Sequence, residues 1–279
     1  MIRSGLVGRS IMASRSPWLH EQEARAQGLE LSYELFDFDA MRQPDEAMAG
    51  LIEQLKVRKF SGFNVTYPFK QAIIPLLDEL AESAQLVGAV NTVAIRDGRL
   101  VGHNTDMEGF RTSLLEGLPG ASLERVFQLG AGGAGSATAV ALLSSGTKCL
   151  AIFDVDSARA AKLSARLSAL WPDADIVLCD HNGGMVNEKP NGIVNSTPMG
   201  MAANPAPPLD PALLDSQQWV ADIVYFPLET QLLKAARKKG CRTLDGSGMV
   251  TRQAALAFEL ITGRHADAAR MRRSFTTGR

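Results

Sequence analysis

A glycine-rich turn set between two apolar runs constrains this chain more than any other feature. Residues 126–129 lead into Gly130-Ala131-Gly132-Gly133-Ala134-Gly135, a stretch of small residues compatible with a helix follows, and a second apolar run, 149–153, stops at Asp154. Strand, glycine turn, helix, strand, acid is the order of a dinucleotide-binding βαβ unit. In that reading Gly130 makes the tight turn and Gly132 lets backbone approach a pyrophosphate. Gly135 lets the helix lie close to the strand, with the helix N-terminus facing the phosphates. Alone, such a glycine string can be an ordinary turn. Its setting between two strand patterns, closed by an acid, points to a nicotinamide dinucleotide.

Asp154 indicates which one. A carboxylate at the end of the second strand can accept hydrogen bonds from the adenosine ribose hydroxyls of NAD. The 2′-phosphate of NADP would instead meet Asp154 and, two residues on, Asp156. Like charges ~4 Å apart at an effective dielectric of ~20 repel by about 4 kcal/mol. Arg159 could soften that repulsion or only line the adenine, and Asp156 also fits a helix cap before Ser157. The charge argument favours NAD.

Length and composition bound the rest. At 279 residues the chain can hold two domains, each with its own core. A net charge of −1 argues against nucleic acid, which would want a basic face. No apolar run approaches the ~18 residues of a membrane span. The N-terminal run 5–8 is cut by Arg9, too short for a secretory segment. Cys149, Cys179 and Cys241 are far apart, neither a disulfide framework nor a metal site, and Cys149 reads as core. The expectation is a cytoplasmic, reduced protein without a metal, acting on a small molecule as a monomer or homodimer.

Strand patterns at 4–8, 32–38, 60–65, 90–95 and 100–103 fill the first third, with Asp97-Gly98 signalling a hairpin turn. Pro17 opens a helix after the first strand, Pro68 opens another toward Leu77, and a third is expected over 106–115. Gly117-Leu118-Pro119-Gly120 is the clearest linker candidate. Beyond it, strand patterns recur at Val126, Leu150, Ile176, Ile193 and Val220, and a strong helix pattern covers 249–262. Such alternation predicts an α/β protein: an N-terminal α/β substrate domain over 1–106 and a Rossmann-type, doubly wound parallel-sheet NAD domain over 107–247. The helix within 248–279 is expected to pack back near their junction, and the basic residues Arg270, Arg272, Arg273 and Arg279 read as a solvated helix face.

Several polar clusters in the first third resist explanation as surface decoration. Ser14 and Ser16 flank Arg15 at a helix start, where both hydroxyls could face a polyol or carboxylate, although Ser16 alone would also serve as an N-cap. Asn64-Val65-Thr66-Tyr67-Pro68-Phe69-Lys70 leaves a strand with polar groups on its exit, and Lys70 alone reads as a surface lysine. Asn91-Thr92 interrupts an apolar strand, a costly placement unless those groups bond something. Asn104-Thr105-Asp106 ends the hairpin and also fits a helix cap. Together these place Lys70, Asn91 and Asp106 at strand ends of one sheet, where α/β folds hold ligands. A lysine beside a carboxylate can move a proton to or from a substrate hydroxyl.

These clusters, with Gly88-Ala89-Val90-Asn91-Thr92, Gly102-His103-Asn104-Thr105-Asp106, Asn195-Ser196-Thr197-Pro198-Met199-Gly200 and Met249-Val250-Thr251-Arg252-Gln253-Ala254-Ala255, resemble the signature blocks of the shikimate dehydrogenase family, in family order across nearly the whole chain. The resemblance implies NAD(P)-dependent oxidation of a ring hydroxyl of shikimate, or of the related quinate, to the ketone. By it, Lys70 and Asp106 are the catalytic pair, and Ser14, Ser16, Thr66, Asn91 and Gln253 hold the hydroxyls and carboxylate of a polyhydroxy carboxylic acid. Tyr225 reaches the carboxylate, while Gly130, Ala131, Gly132, Gly133, Ala134, Asp154, Arg159, Ser196, Thr197, Met199, Val224, Gly246 and Met249 line the cofactor. NADP-using members carry an Asn-Arg-Thr-like run where Phe153-Asp154-Val155-Asp156 stands, so the resemblance too points to NAD. Through Val224-Tyr225-Phe226-Pro227-Leu228-Glu229-Thr230 and Leu244-Asp245-Gly246 the chain is most similar to the NAD-using quinate/shikimate branch. Within that branch a threonine at the position of Ser16 goes with quinate, so serine leans toward shikimate. The rival readings are a non-catalytic NAD-responsive binding module and a dehydrogenase of an amino analogue of shikimate.

Overall fold

The computed structural model describes residues 1–181, 184 and 189–277. It divides into two units, Met1–Thr105 with Thr251–Arg279, and Asp106–Val250. Among the described residues no helix is long and apolar enough to cross a membrane, and no cluster of His, Cys, Asp or Glu could hold a metal.

The first unit is built on a mixed sheet of β1 (Ile2–Gly8), β2 (Leu31–Asp37), β3 (Gly62–Val65), β4 (Glu79–Leu80), β5 (Thr92–Arg96) and β6 (Arg99–His103), ordered β2-β1-β3-β5-β6-β4. β1 runs parallel to β2 and β3, and β5 is antiparallel to β3 and β6. The β5–β6 hairpin turns where Asp97-Gly98 predicts it: both residues take positive φ (52° and 78°), the pattern of a type I′ turn. Val7, Leu55, Phe63, Phe69 and Val93 form the core against one face. The helix expected from Pro68 toward Leu77 is instead two short pieces, Phe69–Ala72 and the 3₁₀ turn Ile74–Leu76. Pro75 is the middle residue of the second piece; its missing N–H and its ring break the α ladder.

The C-terminal residues form two helices, Ser247–Thr262 and Ala268–Thr277. Arg270 departs from the solvated-face expectation: its Nε and Nη2 donate to Glu23 Oε2 and Oε1 at 2.7 and 2.6 Å, and the Glu23 side chain is fully buried. A buried carboxylate needs such a partner. Arg272 and Arg273 are exposed as expected, and Arg279 lies outside the described residues.

The second unit carries β7 (Arg125–Leu129), β8 (Cys149–Phe153), β9 (Asp175–Leu178), β10 (Gly192–Asn195), β11 (Trp219–Asp222) and β12 (Arg242–Leu244) in the order β12-β11-β10-β7-β8-β9. Every neighbouring pair is parallel. Counted from β7, this is the doubly wound order 3-2-1-4-5-6, whose switch point lies between β7 and β10. The linker expectation at 117–120 fails. Gly117 ends the helix Asp106–Gly117, Leu118 is buried, and the chain divides at 105/106 instead. A Gly/Pro turn between helix and strand within one unit has the same composition as a linker, so the two cannot be told apart by sequence.

Candidate active site

In the first unit several predicted polar residues are held in two hydrogen-bonded groups. Ser14 Oγ bonds Ser16 Oγ at 3.1 Å and accepts the Ser16 N–H at 3.2 Å. Ser16 is therefore not the N-cap; the helix Ser16–Ala26 starts at it, with Arg15 in the cap position. The loop before Ser14 is fixed by Asp37, which accepts the N–H groups of Ser10 and Ile11 at 3.1 and 2.8 Å. Asn91, 3% exposed, resolves the buried-amide puzzle posed by its strand: its Oδ1 accepts the Thr105 N–H at 2.8 Å, and its Nδ2 donates to Thr105 Oγ1 at 2.8 Å and to Gln253 Oε1 at 3.4 Å. Thr66 and Lys70 lie on the exit of β3, and the Lys70 carbonyl accepts the Val90 N–H at 2.7 Å, tying that exit to the segment that leads through Asn91 into β5. Ser14 is thus paired with Ser16, and Asn91 with Gln253, within this unit, which also carries Thr66 and Lys70 on the turn after β3.

In the second unit the glycine turn follows β7 as expected. Gly130 takes φ of +99°, and a Cβ there would come within 2.9 Å of the Ser196 carbonyl, so the loops after β7 and β10 touch at the switch point. A Cβ on Gly135 would strike the Gly130 carbonyl, whereas one on Gly132 would meet nothing within 4 Å. Open space beside Gly132, and no side chain capping the helix Gly133–Ser144, leave its first N–H groups free for an anion. This cradle fits a dinucleotide pyrophosphate.

Asp154 bounds the cradle on the β8 side. Its Oδ2 accepts the Ala131 N–H at 2.7 Å and its Oδ1 the Asp156 N–H at 2.9 Å. Arg159 is shared between two acids, 3.5 Å from Asp154 and 3.2 Å from Asp156. Asp156 also caps the helix Ser157–Leu170 through the Arg159 N–H, as its position suggested. Val224 and Gly246 sit together beyond β11: a Cβ on Gly246 would strike the carbonyl of Ile223. Met249 is buried in the helix Ser247–Thr262. Tyr225 leaves 40% of its surface exposed, yet its phenol end is desolvated. Desolvation first, and the Asp106 charge second, raise its pKa above the ordinary tyrosine value and keep it a neutral donor. Asp106 itself is buried at the head of the helix Asp106–Gly117.

Two supports were not singled out from sequence. Gln128, fully buried in β7, donates from Nε2 to the carbonyls of Gly130 and Gly135 at 2.9 and 2.8 Å, and accepts Thr138 Oγ1 at 2.8 Å. A glutamine inside an apolar strand, just before the glycine turn, was the available signal. Asp222 accepts Thr230 Oγ1 at 2.7 Å, the Val224 N–H at 3.0 Å and Asn195 Nδ2 at 2.9 Å. Asn195 in turn accepts Thr197 N–H and Oγ1 at 3.0 and 2.6 Å, so one carboxylate positions the loop carrying Thr197 and Met199.

Burial pushes the Asp222 carboxyl up to about 6, against the hydrogen bonds it accepts. Its folded-state pKa stands above the unfolded value, so holding it ionised costs stability at neutral pH. That cost fades as pH falls from about 7 toward 4. Carboxyl ¹³C NMR is expected to show one aspartate titrating near pH 6, absent in Asp222→Asn. A midpoint near the ordinary ~4 would mean that water reaches this carboxylate.

Comparison with known proteins agrees with this layout. Residues 6–93 match the shikimate dehydrogenase substrate binding domain, and residues 246–274 match the shikimate 5'-dehydrogenase C-terminal domain. A shikimate dehydrogenase (NADP(+)) of Arthrobacter sp. strain FB24 is 48% identical over 273 residues, spanning 97% of this chain and 93% of that protein. A quinate/shikimate dehydrogenase (NAD(+)) of Corynebacterium efficiens is 45% identical over 275 residues, spanning 97% and 96%. The solved structure of quinate dehydrogenase from Corynebacterium glutamicum in complex with NAD aligns with a TM-score of 0.92 at 43% identity, covering 99% of both chains. Identity at this level over nearly the full length leaves one conclusion: the chain belongs to the shikimate dehydrogenase family.

Proposed function

We propose that this protein interconverts shikimate and 3-dehydroshikimate with NAD, with quinate and 3-dehydroquinate as a second substrate pair. The relatives above are named for NADP in one case and NAD in another, so kinship leaves the dinucleotide open. The observation that carries the NAD reading is the placement of Asp154. Its carboxylate bonds the glycine turn itself through Ala131, and Arg159, the nearby cation, is already held by two acids. A ribose diol can donate to such a carboxylate, whereas a 2′-phosphate would be repelled.

In this reading residues 1–106 bind the acid and residues 107–247 bind the dinucleotide. When bound, NAD supplies hydride acceptance; the chain supplies position and proton handling. Ser14, Ser16, Thr66, Asn91 and Gln253 orient the substrate's hydroxyls and carboxylate, and Tyr225, kept neutral, donates to the carboxylate. Lys70 Nζ accepts the proton of the reacting hydroxyl in oxidation and returns it in reduction, with Asp106 as its partner. The rigid network around Asn91 supports this, since it fixes amide and hydroxyl groups before any ligand arrives.

The test is the initial rate with NAD and NADP, each crossed against shikimate and quinate. Turnover is expected with NAD and shikimate, less with quinate and little with NADP. Preference for quinate would keep the site and overturn the inference from Ser16. Binding of NAD with no turnover on either acid would favour a regulatory binding module.

A further inference from the structure

The last helix, Ala268–Thr277, is gripped at both ends by the helix Ser16–Ala26 and the residue before it. At its start, the buried Glu23 carboxylate accepts the Asp267 N–H at 3.0 Å and the Arg270 guanidinium. At its end, Arg15 Nη1 donates to the Phe275 carbonyl at 2.8 Å, and Trp18 Nε1 to the Ser274 carbonyl at 3.1 Å. The Arg15 guanidinium also lies 5.4 Å from the centre of the Phe275 ring, itself only 2% exposed.

These are the backbone groups that a helix cannot satisfy from within, its first N–H and last C=O groups. The charges suit them: a carboxylate at the positive end of the helix dipole, a guanidinium at the negative end. Eight residues separate Arg15 from Glu23, and eight separate Asp267 from Phe275. At ~1.5 Å of rise per residue, two antiparallel helices offer both grips at one spacing of about 12 Å. Arg15 stands inside the turn that carries the serine pair, since Ser14 Oγ accepts the Ser16 N–H across it. Asp37 holds this turn from one side, through Ser10 and Ile11. The last helix holds it from the other, through Arg15 and Trp18.

We propose that Arg15 and Trp18 are positioning residues for the acid: by gripping the end of the C-terminal helix they hold the turn that presents the Ser14 and Ser16 hydroxyls. This rests on the reading of those serines as substrate ligands. Arg15→Ala removes the stronger grip and leaves both hydroxyls in place. The expected result is a KM for shikimate raised about fivefold, the order of one hydrogen bond, with kcat and KM for NAD within about twofold. Trp18→Phe keeps a ring and loses only the N–H. It should raise KM for shikimate about twofold to threefold, again with kcat and KM for NAD little changed.

An unchanged KM for shikimate in either variant would overturn the proposal whatever happens to Tm. A large rise in R15A beside a silent W18F would mean that Arg15 meets the acid itself. Equal rises in KM for shikimate and NAD would also overturn it, since that is general loosening rather than placement of two serines. If R15A does not fold, W18F decides alone: Trp18 is 42% exposed, so its substitution leaves the core untouched. A wild-type enzyme with no turnover would remove the functional reading and this proposal together, whereas an active wild type with indifferent variants removes this proposal alone.

Discussion

Replacing Lys70 by alanine is expected to lower kcat by about 10²–10⁴-fold, the usual worth of a positioned general acid–base group, while KM for the acid moves no more than severalfold. Lys70 sits in the short helix Phe69–Ala72 on the exit of β3, and its backbone is tied to Val90, so its Cα cannot drift from the segment that carries Asn91 into β5. Phe69 beneath it is 1% exposed and anchors the turn in the core. Losing the side-chain amine leaves that scaffold intact, and the acid keeps its serine and amide contacts. What disappears is the group that takes the proton as the hydroxyl becomes a ketone. Steady-state kinetics with NAD and shikimate check it, alongside a thermal melt. A kcat within threefold of wild type would remove Lys70 from the chemistry. A melt lowered by many degrees would assign the loss to folding instead.

The two units were not equally legible in the sequence. The βαβ unit could be read almost residue by residue, because each step has a local cause. Apolar runs became β7 and β8, the small residues 133–144 became a helix buried along most of its length, and the acid fell at the strand end. The edge strands β4 and β12 escaped notice: they are two and three residues long, too short for a periodic pattern. After Pro68 the apolar run around Pro75 has the pattern of one continuous helix, and the proline inside it ends the α ladder.

In the candidate site, polar residues in apolar settings gave themselves away, as Asn91 did, since burying an unpaired amide is costly. Tyr33 did not. An aromatic in a strand needs no polar explanation, and only the order β2-β1-β3, with β1 between them, brings the Tyr33 hydroxyl to Asn64 Oδ1 at 2.8 Å. Gln128 and Asp222 fall between these cases: both are polar groups inside apolar strands, but each supports a loop rather than facing a ligand, and a neighbouring motif drew attention away from them. Glu23 and Arg270 are separated by most of the chain, and only folding shows that they pair.

Asp154→Asn is expected to shift the ratio of kcat/KM for NAD over NADP by about 10²-fold toward NADP. In the wild type a 2′-phosphate at the ribose edge would meet the Asp154 carboxylate, whose side chain is only 7% exposed. Repulsion at ~4 Å and an effective dielectric of ~20 is about 4 kcal/mol, worth nearly 10³-fold; partial screening by water and salt brings the expected effect down. Asp156, at 46% exposure, contributes less. The substitution keeps an oxygen for the Ala131 N–H and releases Arg159 from one of its two acids, so the guanidinium can turn to the phosphate. NAD should lose severalfold, since a neutral amide accepts more weakly from the ribose diol. The prediction therefore has two arms of opposite sign, which a general loss of stability cannot produce. Measured with shikimate at two ionic strengths, discrimination by the wild type should weaken at higher salt, while that of D154N should change little. A ratio that moves less than about threefold would mean that Asp154 serves only to hold the glycine turn, and that the source of any NAD preference lies elsewhere in the pocket.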